Sequence, residues 1–156
     1  MTEILSAEDY RRLLEAARAD AAALEAMACP PSTGTDPLSP SERAVVRRQA
    51  RIVVDCWNTL VPALGAGDPV TVAFQLGRMW SEQGYPLSDL RGDWSEVSPD
   101  YAHAQAVFRE QFRRLQSHLR VANREEERRR LATVLKGLAD EFPPLPSENC
   151  PAADPG

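Results

Sequence analysis

Three capping-residue–proline pairs stand directly before a helical apolar pattern: Ser39–Pro40, Asp68–Pro69 and Ser98–Pro99. An oxygen at the cap accepts from an orphan amide of the first turn, and proline presets φ where no donor is needed. Each pair therefore announces a helix start. A fourth start is written at Ser6, where Asp9 three residues on completes a capping box and Ile4 and Leu5 can staple the entry. Nothing comparable announces a strand, because no segment alternates apolar and polar residues between turn signals.

The apolar spacing agrees with the caps. Tyr10, Leu13, Leu14, Ala17, Ala21, Leu24 and Ala28 share one helical face, closed by Pro30 and Pro31. Val46, Ala50, Val53, Trp57, Leu60 and Leu64 follow Ser39. Pro62 removes one backbone donor, so the last turn should kink or fray before Gly65 and Gly67. The helix after Asp68 is apolar on two faces, Val70, Ala73, Phe74, Gly77 and Trp80 on one and Val72, Leu76 and Met79 on the other. Such a helix is expected to be central and buried. Gly84 breaks it. Residues 85–98 read as a loop packed down by Leu90 and Trp94.

After Pro99 the stripe Tyr101, Ala104, Phe108, Phe112, Leu115, Leu119 and Ala122 lapses through Asn123–Arg130. It resumes out of register at Leu131, Leu135, Leu138 and Phe142. This is either one long helix with a phase shift or two helices broken near Asn123. The expected fold is all-α: a compact bundle of four to five helices with a long C-terminal helix. Residues 1–146 form a single helical domain and 147–156 a disordered tail. The first helix, Trp57 and Trp80 should share a core with Phe108 and Phe112. The last segment has more apolar positions than one bundle face needs. Phe108, Phe112, Leu115, Leu119, Leu131, Leu135 and Leu138 are therefore expected to form an interface with a partner or a second copy.

Composition matters mainly through arginine. Seventeen of the 18 basic residues are Arg, Lys136 being the one Lys. With abundant Ala and Pro, this is the codon usage of a GC-rich genome, as in many bacteria and their phages. The net charge of −5 weighs against a general nucleic-acid binder, since the phosphate field needs net positive surface. Local basic stripes remain. Arg43, Arg47 and Arg51 recur every four residues, with Arg48 beside them, and no acid intervenes. Guanidinium forks suit phosphates and carboxylates. The stripe is read as a binding face, as a solvated face, or as a stripe docked on acids of the first helix such as Glu15, Asp20 and Glu25. A second series runs through Arg109, Arg113, Arg114, Arg120 and Arg124 to Arg128, Arg129 and Arg130, where Glu125, Glu126 and Glu127 can neutralise it locally.

Arg113 and His118, with four residues between them, resemble the Arg-x4–6-His motif of HEPN domains, small helical domains that are often ribonucleases. The resemblance covers six residues. It departs from the family at Arg114, where a small polar residue is usual. It implies Arg113 on the phosphate and His118 in acid–base work. His103 has no Cys or His at metal-ligand spacing, and no cofactor motif is present. Cys29, Cys56 and Cys150 are odd in number and widely spaced, so they read as three thiols rather than a disulfide framework. With Glu3, Glu8 and Asp9 where a signal peptide would be basic then apolar, the expectation is a cytoplasmic protein. The leading expectation is a non-enzymatic helical interaction module without cofactor or metal. A nucleic-acid-binding accessory protein and a HEPN-like ribonuclease are the alternatives.

Overall fold

The computed structural model of this chain describes residues 6–29, 38–82, 99–121 and 124–146. These residues are all-α, with no strand among them. They form α1 (Ala7–Ala28), α2 (Pro40–Ala66), α3 (Pro69–Glu82), α4 (Pro99–Val121) and α5 (Arg124–Leu138), with a short 3-10 turn at Ala139–Glu141. The expected 85–98 loop, with Leu90 and Trp94, and the 147–156 tail lie outside the described residues.

The sequence-level caps form as hydrogen bonds. Ser6 Oγ accepts from Asp9 N at 3.2 Å while the Asp9 carboxylate accepts from Ser6 N at 2.8 Å. Those bonds, first of all from the Ser6 backbone, hold the Asp9 carboxyl below its ordinary range. Ser39 and Glu42 repeat the reciprocal pattern at the start of α2. Asp68 accepts from Val70 N and Thr71 N and from the Thr71 hydroxyl, which lowers its pKa in the same way.

The end of α2 departs from expectation. The helix runs through Pro62 to Ala66 instead of fraying. Burial of Ala63 and Leu64 holds the last turn. A Schellman closure completes it: Gly67 N donates to Leu64 O and Asp68 N to Ala63 O. Gly67 takes φ +67°, and a Cβ there would sit 2.7 Å from Lys136 Cε and 3.0 Å from Ala132 O. Left-handed backbone and close approach of α5 both require glycine.

The expected long C-terminal helix is two helices. Leu115 and Leu131 are 16 residues apart, which in a continuous helix would set them about 160° apart around the axis. Ending α4 at Val121 and restarting at Arg124 lets both stripes face inward.

Arg43, in the first turn of α2, bonds carbonyls at the end of α1, so these two helices run antiparallel. Arg114 reaches Asp9 while Arg109 lies near Asp20, which sets α4 antiparallel to α1. α1 packs on α2 and α4, α3 packs on α2 and α4, and α5 packs on α2 and α3. Trp57 and Phe108 are the largest fully buried side chains, with Leu13, Leu14, Leu24, Leu60, Leu64, Leu76, Met79 and Leu135 around them. Each contributes roughly 1.5–3 kcal/mol on burial. Phe112 stacks on Trp80 at 5.5 Å and meets Phe108 edge-on at 6.0 Å.

Two further expectations are corrected. α3 is buried on one face only: Val72, Leu76 and Met79 are inside, but Val70 and Phe74 are 57% and 62% exposed. The interface assigned to the last segment is covered within the chain. Phe108, Phe112, Leu115, Leu131, Leu135 and Leu138 all lie in the core, because α1, α2 and α3 supply the opposing surface. The side chain of Leu119 lies outside the described residues.

Candidate functional site

The arginine stripe of α2 divides into two parts. Arg43 is buried at 8% exposure, and its Nη1 donates to Met27 O at 2.6 Å and Cys29 O at 2.8 Å. Helix α1 has no basic residue in its own last turn, so Arg43 from the next helix supplies the cation that the carbonyl end attracts. Arg43 thus serves the α1–α2 joint. One turn and two turns further, Arg47, Arg48 and Arg51 are exposed. None of the three makes an ion pair or hydrogen bond with another described residue. Among the described residues, Arg47, Arg48 and Arg51 dock on no acid of the first helix; Asp20 and Glu25 are buried there, and Glu15 faces out.

Other arginines are engaged. Arg11 bonds Glu141 at 3.1 Å and pairs with Glu8. Arg114 meets Asp9 at 3.2 Å, and Arg130 Nε donates to Glu127 at 3.0 Å. Pairs at or near the surface hold side chains in place more than they stabilise the fold. Against that background, three exposed guanidiniums on successive turns of α2 are a surface that no described residue engages.

On α4, Arg109 and Arg113 are exposed, while the side chains of His118 and Arg120 lie outside the described residues. The Arg113–His118 pair therefore falls partly outside the described residues. His103 is exposed, and no group of three metal-ligating side chains occurs among the described residues.

Spacing flags only as an acid a residue that the structure makes unusual. Asp20 is fully buried, and neither carboxylate oxygen is hydrogen-bonded to another described residue. Burial pushes its pKa up to about 7, with the Arg109 charge pulling the other way. Its position was legible: Leu13, Ala16, Ala17, Asp20 and Leu24 fall at helical spacing on one inward face. Asn58 was also missed. Its side-chain amide bonds the backbone of Leu145 in both directions. A polar residue between Trp57 and Leu60 gives no sequence signal of a partner 87 residues away.

The cysteines are corrected as well. Cys29 is disulfide-bonded, and Cys56 is a buried thiol. Cys150 lies outside the described residues. No described helix is long and apolar enough to cross a membrane.

Comparison with known proteins places no relative beside this chain: no family model, curated protein or solved structure matches it.

Proposed function

We propose that this chain is a non-enzymatic helical interaction module, a regulator, adaptor or small subunit of a larger bacterial or phage assembly. In this reading Arg47, Arg48 and Arg51 bind an acidic protein surface. The observation that carries the reading is the contrast on α2 itself. Arg43 is consumed by the α1–α2 joint, whereas the next three guanidiniums are exposed and make no bond to a described residue. Guanidinium forks bind carboxylates in pairs, so such a face suits a carboxylate-rich partner. A chain of net charge −5 and pI 5.1 repels a polyanion elsewhere on its surface, which favours a discrete acidic patch over a nucleic acid.

The test is titration with a poly-glutamate peptide and with single- and double-stranded RNA and DNA at graded salt. Each is run on the parent and on the Arg47→Ala/Arg48→Ala/Arg51→Ala variant. Peptide binding that the variant loses supports the reading. Nucleic-acid binding that the variant loses, with affinity falling steeply with salt, transfers the face to the accessory-binder reading. A shortened RNA strand that His118→Ala leaves intact moves the function to a HEPN-like ribonuclease. A variant that binds every probe as the parent does removes the α2 face from the function.

A further inference from the structure

The last described residues, Phe142–Pro146, form neither helix nor strand. Three of the five are proline, which fixes φ near −65° and cannot donate a hydrogen bond. Phe142, Pro143 and Leu145 each precede a proline and are kept out of the helical region, Phe142 at φ −128° and ψ 84°. The segment is therefore a short, pre-stiffened, polyproline-like strap.

Its seat on α2 reads its main chain. Trp57 Nε1 donates to Pro143 O at 3.1 Å. Asn58 Nδ2 donates to Leu145 O at 2.7 Å, and Asn58 Oδ1 accepts from Leu145 N at 2.7 Å. Two side chains go inward: Phe142 meets the Trp57 ring edge-on at 6.0 Å, and Leu145 is 8% exposed. Pro143, Pro144 and Pro146 stay exposed. An indole N–H and a side-chain amide bond backbone atoms of a proline-fixed segment, and the two seated side chains are three residues apart, the repeat of the polyproline helix that proline-rich ligands present. Such a ligand loses little conformational entropy on docking.

We propose that Trp57 and Asn58 form a receptor for an extended proline-rich peptide of a partner protein, of the pattern aromatic–Pro–Pro–aliphatic–Pro, and that Phe142–Pro146 is the chain's own pseudo-ligand in that seat. The pattern of the occupant is the pattern of the strap, because the seat reads main-chain groups and two side-chain positions that any peptide of this type presents. The tethered strap competes at high effective concentration, so the parent binds such a peptide weakly. This site is separate from the arginine face and does not depend on it.

The probe is a fluorescein-labelled peptide of this chain's own residues 140–147, DEFPPLPS. In full-length protein, Leu145→Asp ejects the strap and leaves Trp57 and Asn58 in place. Anisotropy should show at least about tenfold tighter peptide binding by Leu145→Asp than by the parent. A further Asn58→Asp substitution should abolish that gain. A folded Leu145→Asp protein that binds the peptide no better than the parent overturns the proposal. If Leu145→Asp does not fold, the parent is titrated with excess peptide and the Trp57 indole N–H resonance is followed. A saturable shift supports the seat, and an unmoved resonance overturns it. A parent dimer that the peptide dissociates would make the occupant the strap of a second copy and overturn the assignment to a partner.

Discussion

Asn58 and Leu145 bond each other twice across 87 residues of sequence, amide to carbonyl and amide to carbonyl, at 2.7 Å in both directions. The two groups complete one another as paired peptide units do in a sheet, within a chain whose described residues have no strand. Both bonds are partly buried, so removing one member leaves the other with an unmet polar group.

Asn58→Ala should therefore destabilise the protein by about 1–3 kcal/mol. Asn58→Asp keeps the acceptor for Leu145 N–H but turns an oxygen toward Leu145 O, and should cost at least as much. Urea denaturation followed by far-ultraviolet circular dichroism checks both. If the alanine variant matches the parent within about 0.5 kcal/mol, the strap is not held by this pair.

Arg43 and its neighbours on α2 should separate cleanly. Arg43→Met removes two charge-assisted bonds to Met27 O and Cys29 O while keeping most of the apolar stem. A loss of about 1–3 kcal/mol is expected. The Arg47→Ala/Arg48→Ala/Arg51→Ala variant leaves no described partner behind, and its thermal midpoint should stay near that of the parent. Thermal unfolding of the two proteins side by side decides whether the stripe has one role or two.

The contrast shows how far the sequence reads. Caps at Ser6, Ser39 and Asp68 are local, so three or four consecutive residues determined them. The burial of Trp57 and Phe108 followed from spacing alone. Arg43 and Arg47 are indistinguishable at that level, because what separates them is the approach of α1's last carbonyls to one and not the other. The strap was invisible for the same reason: prolines 143, 144 and 146 signal only where a helix stops, and the indole and amide that receive them lie on α2. Covering of the Phe108–Leu138 stripe by α1, α2 and α3 depended on packing as well, which is why an apolar surplus counted along one segment overstated the open surface.

Cysteine chemistry gives a third check. Non-reducing peptide mapping should find Cys29 in a disulfide and Cys56 as a thiol. In native protein Cys56, 1% exposed, should resist a thiol reagent that labels it fully in urea. Recovery of Cys29 as a free thiol from protein purified without reductant would contradict the structure at that position.

Asp20 should make stability depend on pH in the direction opposite to an ion-paired carboxylate. Its pKa rises on folding from an ordinary 3.8 to about 7, because burial disfavours the anion, and Arg109 offsets this in part. Between those values the folded state binds more protons than the unfolded state, so stability falls as pH rises. Asp20's contribution is complete below about pH 4 and is lost as pH climbs through about 7, a change on the order of a few kcal/mol. Asp20→Asn, close in shape but unable to ionise, should flatten the stability profile between pH 5 and 8 and raise stability at the alkaline end. Arg109→Gln removes the one charge that assists the anion and should shift the loss to higher pH. Urea midpoints collected at half-unit pH steps for the three proteins test the sign. A parent that grows more stable from pH 5 to pH 7, by an amount that Asp20→Asn abolishes, would mean that Asp20 is ionised and paired in the folded protein, contrary to its buried and unbonded carboxylate.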